Sequence, residues 1–123
     1  MFSLACTVCD WQGADADLNN CPVCGATVDI VYPSATLAVD EQQPGIWRYA
    51  ARLPLHDPAY AVSLGEGNTP LLRSAHLAQA LGLAVLYFKM ESANPTGSYK
   101  DRIAAVGVSR LRELGKTAWA ATS

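Results

Sequence analysis

Long apolar runs are missing from this chain. The longest, 83–88 and 103–106, fall far short of a bilayer span, which excludes a transmembrane helix. Charge is also sparse, at 16% of the 123 residues, and the net charge of −2 excludes a strongly basic nucleic-acid binder. The first residues, Met1-Phe2-Ser3-Leu4-Ala5-Cys6, contain no basic segment ahead of an apolar stretch, so no secretory signal is visible and a cytoplasmic location is expected. Lys and Arg are absent from residues 1–47, where six acids give a charge of −6, whereas residues 48–123 carry nine bases and five acids, a charge of +4. Such a break predicts two units with different roles. Histidine is limited to His56 and His76, which lie outside any motif and read as surface or capping residues. Against these shortages, half the residues are hydrophobic, enough for a folded core.

Read along the chain, residues 2–5 and 28–32 are short strand candidates, the second rich in β-branched and aromatic residues. The turn residues Gly13, Asn19, Asn20, Pro22 and Gly25 separate them, and residues 33–43 read as a linker. Ile46, Tyr49, Ala50 and Leu53 share helical spacing, with Pro54 as a stop. Leu64-Gly65-Glu66-Gly67-Asn68-Thr69-Pro70 is a turn-rich loop, and Ser74 is placed to cap a helix over 75–81 that Gly82 ends. Residues 84–90 suit a buried strand. A second helix is expected over 99–114, with Ile103, Gly107, Leu111 and Leu114 on one face, followed by a strand over 117–122. Strand, loop, helix and strand predict the start of a βαβ unit.

All four cysteines lie in the acidic segment, as Cys6-x2-Cys9 and Cys21-x2-Cys24. Two residues between thiolates let both sulfurs of a pair face one point, and two such pairs complete a tetrahedral zinc site. Two disulfides or two redox pairs are the competing readings. A cytoplasmic chain seldom keeps disulfides, and one redox pair needs no second. Four Cys ligands leave no open coordination position, so the zinc is expected to be structural. It supplies folding free energy to a unit with too little core of its own. The zinc–thiolate cluster adds negative charge to six carboxylates, which argues against binding nucleic acid.

The segment Glu91-Ser92-Ala93-Asn94-Pro95-Thr96-Gly97-Ser98-Tyr99-Lys100-Asp101-Arg102 follows a strand and opens a helix, the edge at which α/β sheets bind ligands. Lys100 falls in the first helical turn, where the helix dipole disfavours an ammonium and favours the neutral amine that imine chemistry requires. Without further information an ordinary surface lysine competes with this reading.

Residues 94–102, Asn-Pro-Thr-Gly-Ser-Tyr-Lys-Asp-Arg, resemble the cofactor-lysine motif of threonine synthases, which are fold type II pyridoxal-phosphate enzymes. Residues 64–71 resemble the loop upstream of that motif, and several family members also carry an N-terminal four-cysteine zinc ribbon. Tyr99 departs from the pattern, since Phe is more usual there; it adds a hydroxyl without excluding the chemistry. The resemblance implies that Lys100 holds pyridoxal 5'-phosphate as a Schiff base and acts as the catalytic proton shuttle. The implied reaction converts O-phosphohomoserine and water to threonine and phosphate. Ser98 and Thr96 would donate hydrogen bonds near the site or cap the helix, and Glu66, Asn68 and Thr69 would shape the loop beneath it. Threonine dehydratase, diaminopropionate ammonia-lyase and a non-catalytic zinc-ribbon binding module are the alternatives.

The expected organisation is therefore a zinc ribbon over 1–32, a linker and helix over 33–60, and the start of a pyridoxal-phosphate α/β domain over 61–123. No Gly-rich phosphate loop follows Lys100. The chain is expected to be an N-terminal fragment, inactive alone. The complete enzyme is expected to take a small amino-acid substrate, with no nucleic-acid or membrane partner, and to form a homodimer.

Overall fold

The computed structural model of the protein describes residues 2–14, 20–32 and 39–121. The turn residue Asn19, most of the expected linker and the end of the last expected strand lie outside the described residues. Strand β1 (Ser3–Cys6) is the centre of a three-stranded antiparallel sheet, flanked by β2 (Gln12–Gly13) and β3 (Val28–Val31). Leu4 faces Ile30 and Gly13 across the ladders, and Cys6 faces Val28. Among the described residues, Phe2, Leu4 and Cys21 are the buried hydrophobic residues of this sheet and its loops, few to hold it by apolar burial alone.

The segment Gly45–Arg52 forms 3-10 turns with a break at Tyr49, in place of the α-helix expected there. Of the residues expected inward, Ile46 is buried and Ala50 is exposed, while Trp47, outside the expected set, is buried; Ile46, Trp47 and Ala105 form a core against which Leu53, Leu55, Ala61 and Val106 pack. Tyr49, expected on the inner face, is exposed. The Trp47 indole N–H donates to the Val62 carbonyl at 3.3 Å, so the ring is buried with its polar edge satisfied.

Strand β4 (Leu71–Arg73) leads through helix α1 (Ala75–Ala80) to strand β5 (Tyr87–Lys89), and β4 and β5 pair antiparallel, Leu72 opposite Phe88. Ser74 sits at the α1 cap position, but its side chain makes no capping bond. Helix α2 (Lys100–Glu113) follows. Its buried residues are Asp101, Ala105 and Ser109, four apart, so it lies on a small and polar stripe, and Ile103, expected to face inward, is exposed. Ser109 joins the stripe to the neighbouring loop: its hydroxyl accepts from the Val62 N–H at 2.8 Å and donates to the Ala105 carbonyl at 2.6 Å.

The expected βαβ unit is not formed among the described residues. Residues 117–121 are not in a strand, and β5 pairs with β4 alone. A parallel strand needs a partner ladder and cover on both faces. Here the Trp119 ring lies instead over α2, 3.5 Å from where a side chain at Gly107 would begin. Among the described residues no helix is long and apolar enough to cross a membrane.

The cysteine sheet meets the remainder of the chain through aromatic rings. Phe2 stacks on His56 with centroids 4.3 Å apart and planes 1° from parallel, and the Arg110 guanidinium lies 5.5 Å from the Phe2 centroid. Glu113, paired with Arg110, accepts from the backbone N–H groups of His56 at 2.9 Å and Asp57 at 2.6 Å. His56, read from sequence as an ordinary surface or capping residue, is thus part of the contact.

Candidate functional site

Two places carry chemistry. The first is the cysteine cluster. The turn after β1 presents Cys6 and Cys9, and the turn before β3 presents Cys21 and Cys24. All four sulfurs lie within 4.8 Å of one another, with Cys6 to Cys24 at 3.5 Å and Cys9 to Cys21 at 3.7 Å. A tetrahedron of thiolates about 2.3 Å from a zinc ion has edges of about 3.8 Å. All four cysteines are free thiols, so the disulfide reading has no counterpart here. The backbone supports charged sulfur: the N–H groups of Val8 and Cys9 donate to Cys6 Sγ, both at 3.3 Å, and the Val23 N–H donates to Cys21 Sγ at 3.4 Å.

The backbone bonds from Cys9 and Val8 bring the Cys6 thiol down to about 6. Cys9 is pushed up to about 12: the Trp11 backbone N–H lowers it, but burial and the sulfurs of Cys6, Cys24 and Cys21 together outweigh that bond. Four sulfurs this close cannot all ionise unless a cation sits among them. The donor set is thus soft, tetrahedral and complete, which fits a structural metal and offers no position for a substrate.

The second place is the start of α2. β5 ends at Lys89, a 3-10 turn covers Glu91–Ala93, and Lys100 is the first residue of α2, exposed to solvent. The loop between is closed by its own side chains. Ser98 Oγ accepts from the Lys100 N–H at 3.2 Å, the capping role expected as one option. Asp101, buried, accepts from the Thr96 N–H at 2.8 Å and from the Thr96 hydroxyl, so the first helical turn reaches back to hold the loop.

A polar network lies beneath. Glu91 accepts both arms of the Arg102 guanidinium, Nε at 2.8 Å and Nη2 at 2.9 Å, the Thr69 hydroxyl at 2.8 Å and the Asn94 amide at 2.9 Å. Asn94 accepts in turn from the Gly67 N–H at 3.0 Å. These bonds, Arg102 first and then Thr69, take the Glu91 carboxyl down to about 2. Lys89 Nζ donates to the Thr69 carbonyl.

Glu66 is fully buried, its Oε2 accepting from the Leu64 N–H at 2.7 Å and the Ser63 hydroxyl at 3.0 Å. It braces the loop from within, and its Oε1 has no hydrogen-bond partner among the described residues. That loop is crossed at close range by the segment before Trp47. A Cβ on Gly45 would sit 2.2 Å from the Glu66 carbonyl, and one on Gly67 would sit 2.8 Å from Gly45 Cα. Both glycines have positive φ, so neither position accepts a side chain without rebuilding the crossing.

Sequence reasoning singled out the lysine, its loop and the four cysteines, and the structure brings the cysteines together. It missed Glu91 as the hub and Arg102 as its partner. The available signal was two opposite charges flanking an Asn-Pro-Thr-Gly loop at either end, with an Asn three residues after the acid.

A family described as pyridoxal-phosphate dependent enzyme matches residues 62–123. A threonine synthase of Methanocaldococcus jannaschii is 43% identical over 99 residues, covering 75% of this chain and 24% of that protein. One of Methanosarcina acetivorans is 35% identical over 129 residues, covering 100% of this chain and 31% of that protein. A Bacillus threonine synthase is 45% identical over 71 residues, covering 58% and 20% respectively. The chain therefore spans about a quarter to a third of the length of the first two relatives. No solved structure matches it significantly. The matched family segment contains the whole lysine loop and its network, and by that match the chain belongs to the pyridoxal-phosphate dependent enzymes.

Proposed function

We propose that this chain is the N-terminal portion of a pyridoxal-phosphate dependent threonine synthase, a carbon–oxygen lyase that converts O-phosphohomoserine and water to threonine and phosphate. The observation that carries the reading is the position of Lys100. It is the first residue of α2, exposed at the strand-end edge and held by Ser98 and Asp101, within the segment that matches the family. The relatives that align with this segment are threonine synthases.

Pyridoxal phosphate, when bound, supplies an electron sink for carbanion chemistry. Lys100 Nζ would hold it covalently and, as a free amine, would hold and pass a proton at the substrate. Asp101 and Ser98 keep the backbone that carries Lys100 in register, and Lys89 is engaged elsewhere. Cys6, Cys9, Cys21 and Cys24 bind one structural zinc that takes no part in the reaction. The complete enzyme works on a small amino-acid substrate, as a homodimer, without a nucleic-acid or membrane partner. The 123-residue chain alone turns over no substrate.

Borohydride reduction of the full-length, cofactor-loaded protein tests the assignment. The pyridoxyl label is expected on Lys100 and not on Lys89 or Lys116. Lys100→Ala removes the cofactor absorption and nearly all turnover while leaving the zinc content unchanged. Lys100→Arg fails nearly as badly, because a guanidinium stays protonated. A label on another lysine, or full activity in Lys100→Ala, overturns the assignment. Release of ammonia in place of phosphate would move the reaction to a related lyase.

A further inference from the structure

A cavity of about 410 Å³ lies between the turn 39–44, the 3-10 segment Gly45–Arg52 and the stretch 58–63. Its size is within the range of about 300–1,000 Å³ typical of small-molecule sites. Pro44, Ala50, Pro58, Ala61 and the Trp47 ring make its wall largely apolar. Among the described residues that line it there is none from the lysine loop or the Glu91 hub.

Two polar groups of this wall are already bonded within the protein. The Trp47 indole N–H donates to the Val62 carbonyl, and the Ser63 hydroxyl donates to Glu66. The charged residues of the wall are Asp40 and Arg48, and the fold brings them together: the Asp40 N–H donates to the Arg48 carbonyl at 2.9 Å. Asp40 stands exposed at the rim, with Oδ1 accepting from the Gln42 N–H at 3.0 Å. Arg48 is half-buried, and its Nε is buried with no hydrogen-bond partner among the described residues. Asp40, its neighbour across the backbone bond, does not supply one. A buried guanidinium N–H left unpaired is costly, and such groups are rare in folded proteins. The acceptor that suits it best is a carboxylate, which a guanidinium grips in a planar fork.

We propose that this cavity binds a free aliphatic α-amino acid as its zwitterion. Arg48 takes the carboxylate, Asp40 accepts from the ammonium through Oδ2, and Trp47, Pro44, Pro58 and Ala61 cover the side chain. The charges select the class of ligand. One cation and one anion on a single apolar wall match a molecule that carries both charges on one carbon. A fatty acid has nothing to offer Asp40, and a peptide separates its two charged ends. The wall holds no further charge, which favours an aliphatic side chain over a charged one. Nothing in this inference depends on the role of Lys100.

The test is isothermal titration calorimetry of the 123-residue chain with L-leucine as the probe. A Kd of about 1 mM or tighter is expected. Leucinamide, which lacks the carboxylate, and 4-methylpentanoate, which lacks the ammonium, each bind about tenfold more weakly or worse. These two arms need no variant, so they hold even where a substitution disturbs the fold. Arg48→Lys keeps the charge but loses the fork, and weakens leucine about tenfold. Asp40→Asn weakens leucine about fivefold but does not weaken 4-methylpentanoate, a split that general destabilisation would not produce. Ala50→Leu, at an exposed position of the wall, fills the cavity and abolishes binding. Arg73→Gln, an exposed arginine outside the cavity, leaves leucine affinity unchanged. No leucine binding up to about 10 mM overturns the proposal. So does equal affinity for leucine and either analogue, or unchanged leucine affinity in both Arg48→Lys and Ala50→Leu.

Discussion

The cysteine sheet and the lysine loop solve one problem by different means. Each must hold two loops at a fixed separation with few apolar residues to help. The sheet does it with four sulfurs that converge on a single point, and its buried hydrophobic residues among those described are Phe2, Leu4 and Cys21. The lysine loop does it with a carboxylate that collects four hydrogen bonds from three segments. The first device is all or none, because a site with one ligand missing loses most of its affinity. The second is graded, because each hydrogen bond can be removed singly at modest cost. The first also requires no chemistry-bearing group nearby, whereas the second leaves an exposed amine beside it.

The largest expected effect follows from breaking the first device. Chelation, or Cys21→Ser, unfolds residues 2–32, whereas amide exchange over α2 stays protected. Metal analysis expects one zinc per chain with four thiols silent to titration, and a chain with two disulfides and no metal would contradict this. Next in size is the core around Trp47: Trp47→Ala is expected to cost about 3–5 kcal/mol in urea denaturation. Gly67→Ala follows, at about 2–3 kcal/mol, because its φ is positive and its Cβ would meet Gly45.

A smaller effect sharpens the contrast through pH. The folded Glu91 carboxyl lies at about 2, well below its ordinary value, and Glu113 is also lowered: burial opposes this, but the Asp57 N–H, Arg110 and the His56 N–H prevail. A depressed carboxyl adds stability that is complete above the ordinary carboxylate range and lost as pH falls toward the folded value. The stability gap between the parent chain and Glu91→Gln should therefore be constant above pH 5 and close between pH 4 and pH 2. A gap that widens on acidification would contradict the assignment. The smallest expected effect is none: residues 1–47 carry −6, and the chain should show no DNA or RNA affinity at physiological salt.

What was legible in the sequence was legible because it was local. Cys-x2-Cys spacing is set by two peptide units, and β1 and β3 follow from β-branched and apolar runs beside it. Lys100 at a helix start was readable from the Pro, Gly and Ser before it and the Gly115 stop after it. The errors arose where tertiary contacts decide. Helical spacing at 46–53 found the right inward residues in Ile46, but close passage over Gly67 leaves the segment in 3-10 turns. Helix α2 was assigned its apolar face as the buried one, yet it packs through Asp101, Ala105 and Ser109, whose small side chains let the Val62 backbone approach. The expected strand at 117–122 had the right composition and no ladder to join among the described residues.

Helix α2 also acts as a ruler. The cysteine sheet reaches the body through Phe2 at Arg110, about three turns from Lys100, and at 1.5 Å per residue the two backbone positions are separated by about 15 Å of rigid rod. The screening length in cell-like salt is about 8 Å. Through this contact the charge state of the cysteine cluster is muffled before it reaches the lysine, whereas a tilt of the rod is passed on in full. A protein built this way can replace or redecorate its cysteine sheet without retuning the acid–base behaviour at the other end, provided that the seat for Phe2 is kept.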